Sequence, residues 1–305
     1  MKNIIKIMFI LAFLIFNMQV SGQIYLGGFN DFENNYFSNV QFPVFIEMPT
    51  MDEVGGPSNP PAAINRTLMT YNINKRMFKY DANGRLIKST GAHACAVQEV
   101  VRTVSLPFAR LKNSAEMDGV FVRTMCLVVG TYGNALLWKT SVVGSPLKIV
   151  KERVDTSNAD DDPRRGYIIA EFSSFIFVST HLGGDSIDKK KILNKIFNEN
   201  IIKNSNKRIF IAGDLNFQPK NSPELRNLFA ANGFELLNSE ERDTDDDSYY
   251  HSAHRTTYES KKMIDLIYGK IKNPPKYEVT WRGVPSGVSE DLSDHKPYVV
   301  KVKFK

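Results

Sequence analysis

The sequence predicts an α/β protein in which two sheets pack face to face and helices cover their outer sides. The first observation is a series of short apolar runs, each bounded by Gly or by a polar residue, as is typical of buried strands. The runs occupy residues 66–74, 91–100, 132–138, 163–172, 175–185, 209–216, 261–270 and 292–304. The second observation is that helical patterns separate only some of these runs. Two packed sheets are therefore favoured over a doubly wound parallel sheet, which alternates strands and helices throughout.

Two stretches have the apolar periodicity of helices. Residues 185–205 place apolar side chains on one stripe and lysines opposite, which predicts an amphipathic helix with a solvated lysine face. The stripe consists of Ile187, Ile192, Leu193, Ile196, Phe197 and Ile201. Residues 222–237 predict a second helix that Gly233 ends, followed by a short strand.

The stretch IFIAGDLN, residues 209–216, is the centre of the predicted functional site. Its apolar run ends at Gly213, and the polar side chains of Asp214 and Asn216 follow one residue apart. Alternation along a strand places these two side chains on the same side of the backbone. A simple turn is the alternative, because Asp and Asn both favour turns. The choice depends on whether other strands end in the same way.

Other strand-like runs carry polar groups at the corresponding place. These groups are Asn72, Glu99, Arg165, His181, Asp265, Asp294 and His295. Each has a structural alternative, such as a turn at Asn72 or a salt bridge from Glu99 to Arg102. A carboxylate buried beside apolar side chains is nevertheless unfavourable unless it is paired or binds a metal. Because so many coincidences are hard to maintain, we expect the groups to converge.

The chemistry of the combined set points to phosphate esters. It contains hard oxygen ligands, imidazoles and one arginine, and no Ser or Cys stands in a nucleophile motif. Mg²⁺ prefers oxygen ligands, keeps several waters and needs only one or two carboxylates. An arginine offers a bidentate fork to phosphate oxygens. The set therefore predicts metal-assisted attack of water on a phosphate ester.

The amino terminus predicts export. Lys2 and Lys6 precede an apolar run at residues 7–16, and small residues follow at 20–22, as in a secretory signal peptide cleaved before Gln23. An uncleaved membrane anchor is the alternative, but the run is short for a membrane span. We therefore expect a secreted or periplasmic protein.

The predicted organisation has three parts. Residues 1–22 are the signal peptide, residues 23–63 form an N-terminal arm or linker rich in Asn, Phe, Gly and Pro, and residues 64–305 form one domain. That length is enough for a substantial core. We expect a monomer that is not stably inserted in a membrane.

Charge and cysteine content give weaker constraints. The formal charge is +6 for all 305 residues and +4 without residues 1–22, which carry two lysines and no acid. A mildly basic protein suits a polyanionic substrate without requiring one. Cys95 and Cys126 could pair after export or remain two buried thiols that never meet. CxxC spacing is absent from the sequence, so a structural zinc site is unsupported.

Eight motifs resemble, in order, those of the endonuclease/exonuclease/phosphatase superfamily. They are TYNIN, QEV, YGNALLW, RRG, STHLGG, AGDLN, MIDLIY and SDHKP, and they extend from about residue 66 to residue 304. AGDLN with a distant SDH is the specific part of the pattern. Pancreatic-type deoxyribonuclease and bacterial sphingomyelinase belong to this superfamily. The resemblance implies a four-layered α/β sandwich of the deoxyribonuclease I-like type, with two mainly antiparallel sheets, helices outside and the site at one edge.

The resemblance also implies roles for the residues around the metal and the attacking water. Glu99 resembles the main metal ligand, and Asn72 and Asp294 would complete the surroundings of a Mg²⁺ or Mn²⁺ ion. Asp214 would orient and deprotonate the water. Asn216 would hold that water or a phosphate oxygen.

The remaining residues are expected to act on the phosphate. His295 would contact it, held and kept protonated by Asp265. His181 would stabilise charge or serve the leaving group, and Arg165 would clamp a non-bridging oxygen. In some relatives a carboxylate supports the first histidine, whereas the corresponding YGNALLW motif offers Asn134. This departure leaves open whether His181 is the general acid.

The sequence leaves three hypotheses for the function of the protein. A secreted endonuclease acting on nucleic acid is favoured by export and by the basic charge. A phosphatase or phosphodiesterase acting on lipid head groups or inositol phosphates is the second, and a non-catalytic binding protein is the third. The acidic stretch 239–247 is either a solvated loop or a secondary Ca²⁺ site.

Overall fold

The computed structural model describes most of the predicted domain. The described residues are 64–74, 79–103, 106–127, 130–155, 164–183, 185–238, 263–271, 276–289 and 291–305. The predicted signal peptide (1–22), the predicted arm (23–63) and the acidic stretch 239–247 lie outside them. None of the helices in the described ranges combines the length and the apolar character that a membrane crossing needs.

Twelve strands form two six-stranded sheets in the described part of the chain. The first sheet has the order β11-β12-β1-β2-β4-β3 and the second has the order β5-β6-β7-β8-β10-β9. The strand bounds are β1 Ile64–Asn72, β2 Ala94–Arg102, β3 Asp118–Leu127, β4 Gly130–Trp138, β5 Lys148–Asp155, β6 Arg164–Glu171, β7 Phe175–His181, β8 Arg208–Asp214, β9 Phe234–Leu236, β10 Asp265–Lys270, β11 Tyr277–Gly283 and β12 Tyr298–Phe304.

Each sheet contains one parallel pair among antiparallel neighbours. β1 and β2 are parallel in the first sheet, and β7 and β8 are parallel in the second. Parallel strands require a crossover connection, which is usually helical. Helices do connect both pairs. The helix bounds are α1 Tyr80–Ser89, α2 Pro107–Ala115, α3 Thr140–Val143, α4 Ser186–Asn198, α5 Asn200–Lys203 and α6 Pro223–Ala231.

Three apolar clusters define four layers. One cluster lies between the sheets, and Leu68 of β1 and Phe177 of β7 both belong to it. A second packs Ile87 of α1 and Leu111 of α2 against the outer face of the first sheet. The third packs α4, α5 and α6 against the outer face of the second sheet, with Phe229 at its centre. The predicted four-layered sandwich with helices outside is therefore confirmed.

The predicted helix over residues 185–205 is two helices in the structure. Glu199 has extended backbone angles between α4 and α5, and its carboxylate accepts a hydrogen bond from the Tyr167 hydroxyl. The break lets Phe197 and Ile201 both remain buried. The prediction that Ile187 belongs to the buried stripe is wrong, because that side chain is 73% exposed in the first turn of α4.

Helices α1 and α2 were not predicted. The interior of α1 contains Gly84, which weakens a helical pattern in a sequence. In the structure this glycine permits close packing, because a Cβ at Gly84 would lie 2.6 Å from the Ser114 Cβ of α2. The requirement for glycine at this position therefore comes from the contact between the two helices.

The backbone register places the two cysteine positions far apart. Cys95 is a fully buried free thiol in β2 and faces Leu137 of β4 in the strand register. Cys126 of β3 faces Thr131 of β4, which lies six positions from Leu137 along the same strand. At about 3.3 Å per strand residue this offset far exceeds the reach of a disulfide. The register therefore counts against the disulfide, which was one of the two possibilities that the sequence left open.

Candidate active site

The second sheet places three of the predicted residues in one row. Asp265 of β10 pairs with Asp214 of β8, and Asp214 pairs with His181 of β7. Side chains of directly paired residues lie on the same face of a sheet. Because Phe210 and Phe177 precede Asp214 and His181 by four residues and lie in the cluster between the sheets, period-two alternation turns the row towards the first sheet.

A glycine brings two of these strands unusually close beside the row. A Cβ at Gly213 would lie 1.8 Å from the Thr180 carbonyl oxygen, which is far inside any real contact distance. A side chain there would push β8 away from β7 and move Asp214 relative to His181. The glycine of AGDLN therefore has a packing function as well as a place in the motif.

Asp214 is the centre of the site. It is 2% exposed, and its Oδ2 atom accepts a hydrogen bond of 2.9 Å from the Asn72 side-chain amide of the first sheet. The same oxygen lies 3.3 Å from His181 Nε2 and 3.8 Å from His295 Nε2. Its Oδ1 atom accepts the Asn216 backbone N–H at 3.1 Å. One carboxylate thus joins groups from both sheets.

The environment of Asp214 makes it a base that can act near neutral pH. Burial and the negative charge of Asp265 raise the pKa of Asp214 to about 7, although His295 and the hydrogen bonds from Asn72 and Asn216 oppose the shift. A general base is most effective when its pKa lies near the working pH. The position and pKa of Asp214 therefore suit proton abstraction from a water molecule.

Asp265 and His295 form a buried pair. Asp265 is fully buried, and its Oδ2 atom lies 2.7 Å from His295 Nδ1. Burial alone would lower the pKa of His295, but the charge and hydrogen bond of Asp265 and the charge of Asp214 raise it to about 9. The imidazole is therefore held in its charged form at neutral pH. The predicted strand-like run begins at residue 261, whereas β10 begins at Asp265 itself.

Asn216 lies beyond the end of β8 in a left-handed backbone conformation, with φ of +51°. Asn tolerates this conformation better than most residues because its short side chain can bond locally. Its Nδ2 atom donates to the Leu182 carbonyl at 2.8 Å and lies 3.0 Å from His181 Nε2. The left-handed turn therefore places the side-chain amide of Asn216 next to the His181 imidazole.

The first sheet supplies Glu99 through an irregularity. The register of β2 on β4 shifts between Val97 and Val100, so that Gln98 and Glu99 form a β-bulge in the interior of the strand. Glu99 has a φ of +61°, and its Oε1 atom accepts a hydrogen bond of 3.3 Å from Asn72 Nδ2. Bulges redirect side chains next to active sites. The structural alternative for Glu99 is not found, because no ion pair with Arg102 occurs among the described residues.

Asp294 and His295 precede β12 and are organised by Ser293. The Ser293 hydroxyl donates to the Asn72 backbone carbonyl at 2.7 Å and accepts the His295 N–H at 3.1 Å. It also lies 3.3 Å from Asp294 Oδ1. A single hydroxyl therefore fixes the SDH motif against the end of β1.

Arg165 lies at the margin of this group, in β6 next to the residue that pairs with His181. A Cβ at Gly183 would lie 2.0 Å from its Nε atom, so the guanidinium occupies the space that glycine leaves. Asn134 does not provide a carboxylate, and its buried amide donates to the Gly166 carbonyl at 2.9 Å. It thus joins β4 of one sheet to β6 of the other.

The structure places the nine predicted residues around one edge of the sandwich. Eight are connected by the short contacts described above, and Arg165 lies beside them. One contributor was missed. Ser293 is part of the quoted SDHKP motif, but a hydroxyl that bonds backbone gives no distinctive sequence signal.

One group of the described residues has its ligand atoms close enough together to hold a cation. Ligand atoms of Asp214, Asp265 and His295 lie within 4.8 Å of one another. Asp265 and Asp214 raise the pKa of His295 and so favour its charged form, which competes with metal binding at this ring. Glu99 and Asp294 are both partly exposed carboxylates, which suits a hydrated Mg²⁺ better. The Nδ2 atom of Asn72 is directed at Glu99 and Asp214, so in this arrangement Asn72 supports Glu99 from behind.

The chain was compared with known families and structures. A family model described as the Endonuclease/Exonuclease/phosphatase family matches residues 69–295. No curated protein matches the sequence. The matched residues include every candidate from Asn72 to His295.

Solved structures share the fold at low identity. An endonuclease/exonuclease/phosphatase from Beutenbergia cavernae has a TM-score of 0.59 and 15% identity, with 79% of this chain and 72% of that chain covered. One from Bacteroides vulgatus has a TM-score of 0.58 and 17% identity, with 79% and 99% covered. The human nocturnin catalytic domain, solved with a bound sulfate anion, has a TM-score of 0.56 and 15% identity, with 79% and 95% covered.

Proposed function

Because the chain belongs to the endonuclease/exonuclease/phosphatase family, whose members are metal-dependent hydrolases of phosphoric esters, we propose that it is a secreted Mg²⁺-dependent endonuclease. The observation that carries the proposal is the position of Asp214. This carboxylate, with its pKa raised to about 7, lies between an amide of one sheet and two imidazoles. That is the arrangement needed to take a proton from water beside a phosphate.

Asp214 acts on the attacking water. It accepts one proton while the water oxygen forms its bond to phosphorus and the bond to the leaving oxygen breaks. Asn72 and Asn216 hold the carboxylate through Oδ2 and Oδ1, which fixes the direction of its free lone pairs. The two hydrogen bonds also limit the rotation of Asp214, so that the base is already oriented when the substrate arrives.

The histidines act on the phosphate and the leaving group. His295, charged because of Asp265, stabilises negative charge on a non-bridging oxygen. His181 lies on the other side of Asp214 and serves the leaving oxygen, with Asn216 holding its ring. Arg165 clamps a second non-bridging oxygen from the margin of the site.

Glu99 and Asp294 are proposed to hold the Mg²⁺ ion, or Mn²⁺ in its place, with Asn72 positioning Glu99. The donor set fits, because it offers hard oxygens on two partly exposed carboxylates and leaves room for water ligands. When bound, the ion supplies positive charge that neutralises the phosphoryl oxygens. The contacts around Asp214 are made among protein side chains and do not depend on the ion.

Nucleic acid is proposed as the substrate on grounds of charge. The chain carries a formal charge of +6, or +4 after loss of residues 1–22, and Arg165 stands at the margin of the site. Polyanions are attracted by such a surface. The proposed export rests on the amino-terminal sequence, and is supported if the mature protein from the culture medium or periplasm starts at Gln23.

A substrate panel tests the proposal. Purified protein is incubated with Mg²⁺ and plasmid DNA, RNA, sphingomyelin, inositol phosphates or a bis-aryl phosphate, with EDTA as the negative control. We expect cleavage of plasmid DNA that EDTA abolishes and that Mg²⁺ or Mn²⁺ restores. The His295→Ala variant, purified in parallel, excludes a contaminating nuclease. If plasmid DNA stays intact while a lipid or an inositol phosphate is hydrolysed, the endonuclease hypothesis is wrong and the phosphatase hypothesis is favoured.

A further inference from the structure

Tyr80 connects helix α1 to the strand that carries Glu99. It is the first residue of α1, its side chain is fully buried, and its hydroxyl accepts a hydrogen bond of 2.9 Å from the Val101 backbone N–H of β2. Val101 follows Glu99 by two positions in the same strand. The hydroxyl of Tyr80 therefore holds the backbone directly after the β-bulge.

The Val101 N–H lies where β2 has lost one of its neighbouring strands. Strand β1 pairs with β2 as far as Asn72 and Gln98, and one further bond runs from the Ile73 N–H to the Gln98 carbonyl. On its other edge, β2 remains paired with β4 beyond the bulge. A buried backbone N–H needs a partner, because it gives up its hydrogen bond to water on folding. Tyr80 supplies the acceptor that β1 no longer provides.

The bulge holds Glu99 in an unusual backbone conformation. From Val97 to Val100, strand β2 advances three residues while β4 advances two, and Glu99 has a left-handed φ of +61°. Such a conformation is unfavourable for a residue with a Cβ and persists only where the surrounding structure enforces it. The side-chain contact of Glu99 with Asn72 Nδ2 is long, at 3.3 Å. The direction of the Glu99 carboxylate therefore depends mainly on the backbone of the bulge.

Helix α1 is a firm support for the Tyr80 hydroxyl. Asp81, the next residue, pairs with Arg110 of α2 and accepts the Ser114 hydroxyl at 3.1 Å. Gly84 lets the two helices approach closely, as described above. The position of Tyr80 is thus fixed by α2 as well as by its own packing beneath the helices.

We propose that Tyr80 is a positioning residue for the metal, because its hydroxyl fixes the bulge that directs the Glu99 carboxylate. It contacts neither the ion nor the phosphate. This inference rests on the proposed function, in which Glu99 and Asp294 hold Mg²⁺ or Mn²⁺. Loss of the hydroxyl should weaken metal binding without removing any group that reacts.

Tyr80→Phe tests this role, because it removes one oxygen atom and keeps the buried ring. We expect the Kd for Mn²⁺, measured by electron paramagnetic resonance on the substrate-free protein, to rise about tenfold, as is typical when a group that orients a metal ligand is lost. At saturating Mn²⁺, kcat on plasmid DNA should stay within about threefold of the wild-type value.

Tyr167→Phe is the matched control. It removes the hydroxyl of another buried tyrosine, which donates to Glu199 on the outer side of the second sheet. Unfolding in denaturant measures the stability of both variants, and the Kd for Mn²⁺ should change only in Tyr80→Phe. Ser114→Ala is a milder second variant that loosens α1 through Asp81, and it should raise the Kd by a smaller factor.

A double variant separates positioning from general destabilisation. If Tyr80 acts through Glu99, Tyr80→Phe combined with Glu99→Gln should bind Mn²⁺ about as weakly as Glu99→Gln alone. Fully additive losses would overturn the inference. So would an unchanged Kd in Tyr80→Phe or, if that variant does not fold, in Ser114→Ala. An unchanged Kd in Glu99→Gln would instead overturn the metal site of the proposed function, and the inference with it.

Discussion

The two sheets build their halves of the site in different ways. The second sheet contributes His181, Asp214 and Asp265 as directly paired residues at the ends of three adjacent strands. The first sheet contributes Glu99 through a β-bulge, and the segment before its strand β12 contributes Asp294. One half is a regular ladder and the other depends on local irregularities.

The difference in backbone accompanies a difference in burial. Asp214, Asp265 and His181 are nearly inaccessible to solvent, whereas Glu99 and Asp294 are partly exposed. Burial perturbs proton affinities and therefore suits groups that exchange or hold protons. Partial exposure suits oxygen ligands for an ion that keeps its own waters. The comparison suggests that proton chemistry belongs to the regular half and metal binding to the irregular half.

Asp214→Asn should break the regular half and have the largest effect. The change preserves size but removes the base, so we expect kcat to fall by about 10²- to 10⁴-fold. Substrate affinity should change far less than turnover. Steady-state and binding measurements on plasmid DNA check this.

The matched control is Asp118→Asn, the same change at an exposed position of the first sheet, at the end of β3 away from the site. Near-full turnover of Asp214→Asn would show that the base has been assigned to the wrong residue.

Glu99→Gln tests the metal-binding role proposed for the irregular half. We expect a loss of activity that added Mg²⁺ partly restores. Loss of a ligand should raise the Mg²⁺ concentration for half-maximal activity by at least about tenfold. In contrast, Asp214→Asn should leave the Mg²⁺ titration of its residual activity close to that of the wild type. The reverse pattern would place the ion on Asp214, Asp265 and His295 instead.

The pH profile of Asp265→Asn tests whether the reaction needs the charged form of His295. His295 has its pKa raised to about 9, so its positive charge is present at neutral pH and lost as the pH rises through that value. Removing the carboxylate removes the main cause of the increase. The alkaline limb of kcat/KM should therefore move to lower pH, and an unmoved limb would separate His295 from the reaction.

Asn134→Ala should have the smallest effect on turnover. It removes the hydrogen bond to the Gly166 carbonyl, which still accepts the Thr180 hydroxyl at 3.2 Å. We expect about 1 kcal/mol less stability in denaturant unfolding and turnover within about threefold. Asn194→Ala, at an exposed position of α4, is the control. A hundredfold loss of turnover would mean that Asn134 supports His181 directly.

The same contrast explains what the sequence could predict. His181 and Asp214 end apolar strands, and period-two alternation places their side chains between the sheets. The bulge at Glu99 and the left-handed turn at Asn216 leave no comparable pattern, because they depend on pairing with strands far away in sequence.

The contacts of Asn72 set a condition on when activity can first appear. Its amide reaches Asp214 in the other sheet, and its carbonyl is held by Ser293, 221 positions later in the sequence. β12 then pairs with β1, so the first and last described strands lie side by side. An incomplete chain that emerges from the ribosome or a secretion channel therefore lacks both His295 and the closed sandwich. The proposed activity can therefore appear only after the whole domain has been synthesised.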